Sequence, residues 1–163
     1  MFLVLILCLA GCQCGDPAAF LNLTPVADTM IAAGSEATWD HGAALRLGVD
    51  GEPAEVIYFK FDLSAVTAAV VRATLQLYST NGSADAGNVL PVDDSSWVEG
   101  NRSGLDAGSG GGPGLKWTDV DSNGDGRVDR RDSSPWVPDL TQRIGALTAN
   151  SGQFAQVDVT AAF

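Results

Sequence analysis

Apolar and polar residues alternate in several short runs. Ile57, Phe59 and Phe61 alternate with Tyr58 and Lys60, which predicts a central strand whose apolar face is made by the odd-numbered residues. Val71, Ala73, Leu75 and Leu77 alternate with Arg72, Thr74, Gln76 and Tyr78, so a second strand should face solvent on one side. The connection between them, Asp62-Leu63-Ser64 and an Ala-rich stretch to Val70, is too short for a crossover with its own long helix. The two strands are therefore expected to pair antiparallel. Residues 27–32, 44–49, 88–93 and 153–160 are further strand candidates, each bounded by Gly, Asn, Asp or Ser. No segment sustains a helical period, and 19 glycines with little Lys or Glu favour short strands and turns. The fold class expected is all-β.

The first residues follow another pattern. Phe2 to Leu9 are apolar without interruption, a run too short to span a bilayer as a helix, and small residues Ala10 and Gly11 follow. Leu9-Ala10-Gly11-Cys12 resembles the lipobox of bacterial lipoproteins, after which the signal is cut and the cysteine acylated. That resemblance implies a signal peptide over 1–11, a lipid-bearing Cys12, a tether over 12–22, and one domain over 23–163 in the bacterial cell envelope, outside the cytoplasm. Several acyl chains on one cysteine give lasting anchorage, since each buried methylene contributes about 0.8 kcal/mol. No Lys or Arg precedes the apolar run, so the reading frame is expected to begin a few codons earlier.

Charge and cysteine usage narrow the remaining choices. Nine Lys and Arg against 20 Asp and Glu give a net charge of −11, which disfavours nucleic acid as a partner. All three cysteines, Cys8, Cys12 and Cys14, lie in the first fourteen residues, so the domain must stand on packing rather than disulfides or thiolate-bound zinc.

Several separated segments occur in an order that carries a second resemblance. They are Pro25-Val26-Ala27-Asp28-Thr29, Trp39-Asp40-His41-Gly42 with Leu45-Arg46-Leu47, and Tyr58-Phe59-Lys60-Phe61-Asp62-Leu63-Ser64. Ala73-Thr74-Leu75-Gln76-Leu77-Tyr78, Trp97-Val98-Glu99-Gly100, Trp117 and Val157-Asp158-Val159-Thr160 follow. Together they resemble the disaggregatase-related DNRLRE domain, or carbohydrate-binding module family 96. The resemblance implies an antiparallel jelly-roll-like β-sandwich. Family members continue with further strands past the segment like Val157 to Thr160, so a sandwich lacking its C-terminal strands is expected.

The interval 100–138 is an insertion relative to that family, and a long Gly-, Ser- and Asp-rich connection of this kind usually has a function or is disordered. Within it, residues 121–132 match a twelve-residue calcium loop. Asp121, Asn123, Asp125, Asp129 and Asp132 offer side-chain oxygens at positions 1, 3, 5, 9 and 12, Arg127 offers a carbonyl at position 7, and Gly126 permits the sharp turn at position 6. Val128 should anchor the loop in apolar surroundings. Asp in place of the longer Glu at position 12 weakens closure, so a Kd of roughly 10⁻⁴ to 10⁻³ M is expected for Ca²⁺ acting as a structural ion.

His41 is the only histidine and no nucleophile elbow accompanies it, while Asp93, Asp94 and Glu99 are sequence neighbours rather than a spaced carboxylate pair. A non-catalytic module is therefore expected, binding polysaccharide or a cell-surface glycan through Trp39, Asp40, Trp97, Glu99 and Trp136, because indole faces stack on sugar rings and carboxylates bond hydroxyls. The alternatives are a structural spacer at the cell surface and a fragment of a polysaccharide-degrading enzyme.

Overall fold

A computed structural model describes residues 3–9 and 19–163. Nine strands are present among them: β1 (Leu3–Leu9), β2 (Ala19–Leu23), β3 (Ala27–Ala32), β4 (Asp50–Gly51), β5 (Ala54–Lys60), β6 (Val70–Ser79), β7 (Asn88–Val89), β8 (Gly145–Ala146) and β9 (Gln153–Asp158). The one α-helix among the described residues, α1 (Trp117–Val120), is a single turn. Every strand pairing is antiparallel. The fold is all-β, as the alternation and glycine content require.

The chain divides into two compact units. The first takes in, among the described residues, 3–9, 19–26, 61–89 and 144–163. Its main sheet has the order β2-β1-β6-β9, and β7 pairs with β8 separately. In β6, Ala73 and Leu75 are buried while Val71 and Arg72 are exposed, so the predicted apolar face forms only in the middle of the strand. Ala155 and Val157 of β9 continue that face, lying opposite Leu77 and Leu75.

The second unit holds residues 27–60 and 90–143. Here β5 lies between β3 and β4, the central place its sequence predicted. The facing is reversed, however: Tyr58 is 3% exposed, whereas Ile57 and Phe59 are only half-buried. Tyr58 sends its hydroxyl to the Trp136 carbonyl at 2.9 Å, so the one polar atom of the ring is satisfied and its large apolar body can enter the core. That core gathers Ile31, Tyr58, Trp97, Leu115, Trp117 and Val120. Four of these six, Trp97, Leu115, Trp117 and Val120, come from the long 90–143 stretch, which is therefore a packed part of the unit and not an idle connection.

Other expectations are corrected. β5 and β6 belong to different sheets and do not pair. Residues 44–49 are turns and coil with Leu45 exposed, and 88–93 keeps strand pairing only at Asn88–Val89. Residues 19–22 of the expected tether form, with Leu23, strand β2. The apolar run assigned to an export signal also has structure, because Leu3–Leu9 is β1, paired on one side with β2 and on the other with β6. Cys12 and residues 12–18 of the expected tether lie outside the described residues.

Candidate functional site

Asp40 is the organising residue of the Trp39-Asp40-His41-Gly42 turn. It is fully buried, and its Oδ1 accepts from Gly42 N at 2.9 Å while its Oδ2 accepts from Asn101 N and Gly114 N, each at 3.1 Å. Burial opposes its charge, but these backbone N–H groups outweigh burial and hold the carboxyl below the ordinary range. A Cβ on Gly100, Gly112 or Gly114 would run into the carboxylate. The glycine-rich stretch is thus explained in part by close approach of backbone to a buried anion. Asp40 has no face left for a ligand, which corrects its assignment as a binding residue.

His41, beside it, is 2% exposed, and its Nε2 has no hydrogen-bond partner among the described residues. Glu36 Oε2 stands 3.7 Å away. Burial pushes the imidazole pKa down, against the pull of Glu36 and then Asp40. A neutral, enclosed imidazole of this kind is not placed to meet a substrate.

Trp97 is buried at 4% exposure, and Glu99 is half-buried. Trp97 packs edge-on against Tyr58, with ring centroids 5.9 Å apart, and carries the Lys60 ammonium 4.5 Å above its ring. The same ammonium donates to the Trp97 carbonyl at 2.7 Å, so this indole is fixed in the core by both its ring and its backbone. Glu99 Oε1 accepts from Asp28 N at 3.4 Å, a contact that ties the 97–100 segment to β3.

Trp136 differs. It is half-buried, and its Nε1 donates to Ser96 Oγ at 3.2 Å. Ser96 N in turn donates to Asp94 Oδ1 at 2.7 Å. The Ser96 hydroxyl and N–H hold the Asp94 carboxyl below its ordinary range, helped by Trp136 and Lys60 against a small opposing effect of burial. An indole, an exposed hydroxyl and an ionised carboxylate thus stand together, braced from beneath by the Tyr58 hydroxyl on the Trp136 carbonyl. Ser96 was missed from sequence; the signal was the Asp94-Ser95-Ser96 turn, in which an Asp side chain caps the backbone two residues on. Trp39, also half-buried, belongs to the Asp40 turn instead, its ring centroid 6.5 Å from His41.

The loop 121–132 wraps its first residue. Asp121 Oδ1 accepts from Gly124 N and Asp125 N at 2.9 and 3.2 Å, and Oδ2 accepts from Gly126 N at 2.9 Å and from the Trp117 indole at 3.0 Å. Gly124 and Gly126 have φ of +72° and +81°, values that favour glycine. Asn123 Oδ1 accepts from Asp125 N, Asp125 Oδ1 from Arg127 N, and Asp129 Oδ1 from Arg131 N. Asp132 closes the turn by accepting from Asn123 N and Asp129 N. Val128 packs against the core, as expected. Arg131 bridges Asp125 Oδ2 and Asp129 Oδ2 at 3.3 and 3.7 Å. Among the described residues no three carboxylate, imidazole or thiol side chains converge as a ready metal group. The donor types suit a hard cation, while in this structure Asp125 and Asp129 pair with Arg131.

A family model described as carbohydrate-binding module family 96 matches residues 19–102, more than half of the chain. No curated protein and no solved structure matches.

Proposed function

The chain belongs to carbohydrate-binding module family 96, and from that premise we propose that it holds a polysaccharide or cell-surface glycan at Trp136, Ser96 and Asp94 without transforming it. The juxtaposition of indole, hydroxyl and carboxylate carries this reading. A sugar presents C–H groups on the face of its ring and hydroxyls around its edge. The Trp136 ring takes the face, and the Asp94 carboxylate, acceptor-only when ionised, takes donated hydroxyl protons. Lys60, already bound to the Trp97 carbonyl, keeps positive charge near Asp94 and so helps it stay ionised. The enclosed His41 and the backbone-saturated Asp40 speak against acid–base chemistry in the turn that contains them.

The reading extends to the cell envelope and to a metal. Cys12 carries lipid and anchors the module, as its lipobox-like surroundings imply. Ca²⁺ binds in the loop through Asp121, Asn123, Asp125, the Arg127 carbonyl, Asp129 and Asp132, and relieves the mutual repulsion of four carboxylates; the Asx turns and the two left-handed glycines support this. Its role is structural.

Retention of the purified protein on polysaccharide affinity gels, with and without Ca²⁺, tests the whole. Retardation that is lost in Trp136→Ala supports a glycan module. Passage through every gel without delay favours a spacer, and release of reducing ends favours an enzyme.

A further inference from the structure

We propose that the outer face of β6 and β9 is a second glycan contact, shaped for an extended, uncharged polysaccharide chain. The two strands pair so that Tyr78 lies opposite Phe154 and Gln76 opposite Gln156. Ala73 and Leu75 of β6 and Ala155 and Val157 of β9 alternate with these residues and are buried, so the even-numbered side chains stand on the other side of the sheet. Tyr78 is 37% exposed and Phe154 49%. Their ring centroids are 5.2 Å apart and their planes 70° from parallel. Single apolar side chains scattered over a surface need no explanation, but two aromatic rings held against each other beside a pair of amides form a continuous patch.

The chemistry of that patch is what a sugar chain needs. The two rings meet as a corner, so a pyranose lying with its C–H face on one ring meets the edge of the other. Next along both strands, Gln76 and Gln156 each bring an amide donor and a carbonyl acceptor, the two functions that sugar hydroxyls answer. At about 3.3 Å per residue, the step from Thr74 to Tyr78 covers about 13 Å, longer than one sugar ring, and it is straight because it follows a strand.

Charge selects the class of glycan. Arg72 and Asp158 lie at the far end of the strip and are opposite in sign, and Asp158 Oδ1 already accepts from the Thr160 N–H and hydroxyl at 2.9 and 2.6 Å. The strip is thus close to neutral on a chain of net charge −11, and an acidic polysaccharide meets repulsion without a compensating positive field. The choice of a sugar as occupant rests on the carbohydrate-module reading above; the location rests on the strand pairing and the exposed rings.

Affinity electrophoresis of the full chain in gels containing hydroxyethyl cellulose, a neutral probe, or alginate, an acidic one, tests this. Tyr78→Ala and Phe154→Ala should each weaken retention by hydroxyethyl cellulose about threefold to tenfold, the range for one aromatic contact. Phe154→Trp should keep it, and Val71→Ala, an exposed residue on the opposite face of β6, should leave it within about twofold. Gln156→Ala, a fully exposed position, should weaken it too and supplies the same reading if an aromatic variant loses its circular dichroism. Retention weakened by Trp136→Ala but by none of Tyr78→Ala, Phe154→Ala and Gln156→Ala overturns this face and leaves the first site standing. Free passage of the unsubstituted protein through both gels overturns the two together. Stronger retention by alginate than by hydroxyethyl cellulose overturns the neutral class, and self-association in sedimentation that Phe154→Ala abolishes, with retention unchanged, gives the face to a second copy of the chain instead.

Discussion

The indole N–H of Trp117 donates to Asp121 Oδ2 at 3.0 Å, joining the core of the second unit to the first residue of the acidic loop. Asp121 also receives three backbone N–H groups, so Asp121→Ala leaves a buried indole donor and several amides unpaired. A loss of about 2–3 kcal/mol is expected, the scale for orphaning buried donors, measured by denaturant unfolding. Asp121→Asn, which keeps one oxygen, should lose less. Equal stability of Asp121→Ala and the unsubstituted protein would mean that the loop does not brace the core.

The same bond makes Trp117 a reporter. Ca²⁺ at a hundredfold excess over its Kd should raise the unfolding free energy by about 2.7 kcal/mol if the unfolded chain does not bind it. Intrinsic tryptophan fluorescence should change with the same midpoint. Arg131→Ala, which removes the guanidinium bridging Asp125 and Asp129, should tighten Ca²⁺ binding. Calorimetry showing no heat for either protein would dispose of the metal.

Gly114 sits where a Cβ would meet both the Asp40 carboxylate and the Glu99 carbonyl oxygen. Gly114→Ala must displace backbone or an anion already held by three N–H groups. A cost of about 2–4 kcal/mol is expected, in the range of overpacking plus a lost buried charge contact. A thermal scan of Gly111→Ala is the control, since nothing lies within 4 Å of a Cβ there and only its φ of +69° is strained.

Some of this was legible and some was not, for physical reasons. The period-two alternation at 70–79 marks a strand because β6 has one buried face through Ala73 and Leu75. At 54–60 the same rule picked the wrong face, because the hydrophobicity of Tyr58 is masked in sequence by a hydroxyl that finds the Trp136 carbonyl 78 residues away. Aromatic residues posed the same difficulty in the site. Trp97 and Trp136 are chemically identical, yet Trp97 is buried beneath Lys60 while Trp136 packs half-buried on the edge of the same core beside Ser96, a difference only the fold reveals. The local turns of residues 121–132 were readable, since they depend on Asp, Asn and Gly acting on near neighbours. β1 was not, because an apolar run has the same composition whether it enters a membrane or a sheet.

His41 should impose a pH dependence on stability. Its folded pKa lies below the unfolded value of about 6.5 because burial disfavours the imidazolium more than Glu36 and Asp40 favour it. Above that value both states are neutral and the full stability is present. As pH falls through it, the unfolded chain takes up the proton first, so stability declines until the folded pKa is passed. Unfolding midpoints in urea should therefore fall between pH 7 and pH 5, and His41→Gln should flatten that part of the profile. An unchanged slope in the variant would assign the dependence elsewhere.

Trp136 and Trp39 are both half-buried, yet only Trp136 stands beside an exposed hydroxyl and an ionised carboxylate. If stacking on the indole supplies the binding, Trp136→Ala should weaken glycan retention by about five- to tenfold, the equivalent of about 1 kcal/mol or slightly more for one aromatic contact. Asp94→Asn should weaken it as well, because an amide oxygen accepts a hydroxyl proton less strongly than a carboxylate. Trp39→Ala should leave retention within about twofold. Affinity electrophoresis in a polysaccharide gel measures all three together. The reverse order, with Trp39→Ala the most damaging, would move the binding face to the Asp40 turn and leave the Trp136 indole as a packing residue braced by Ser96.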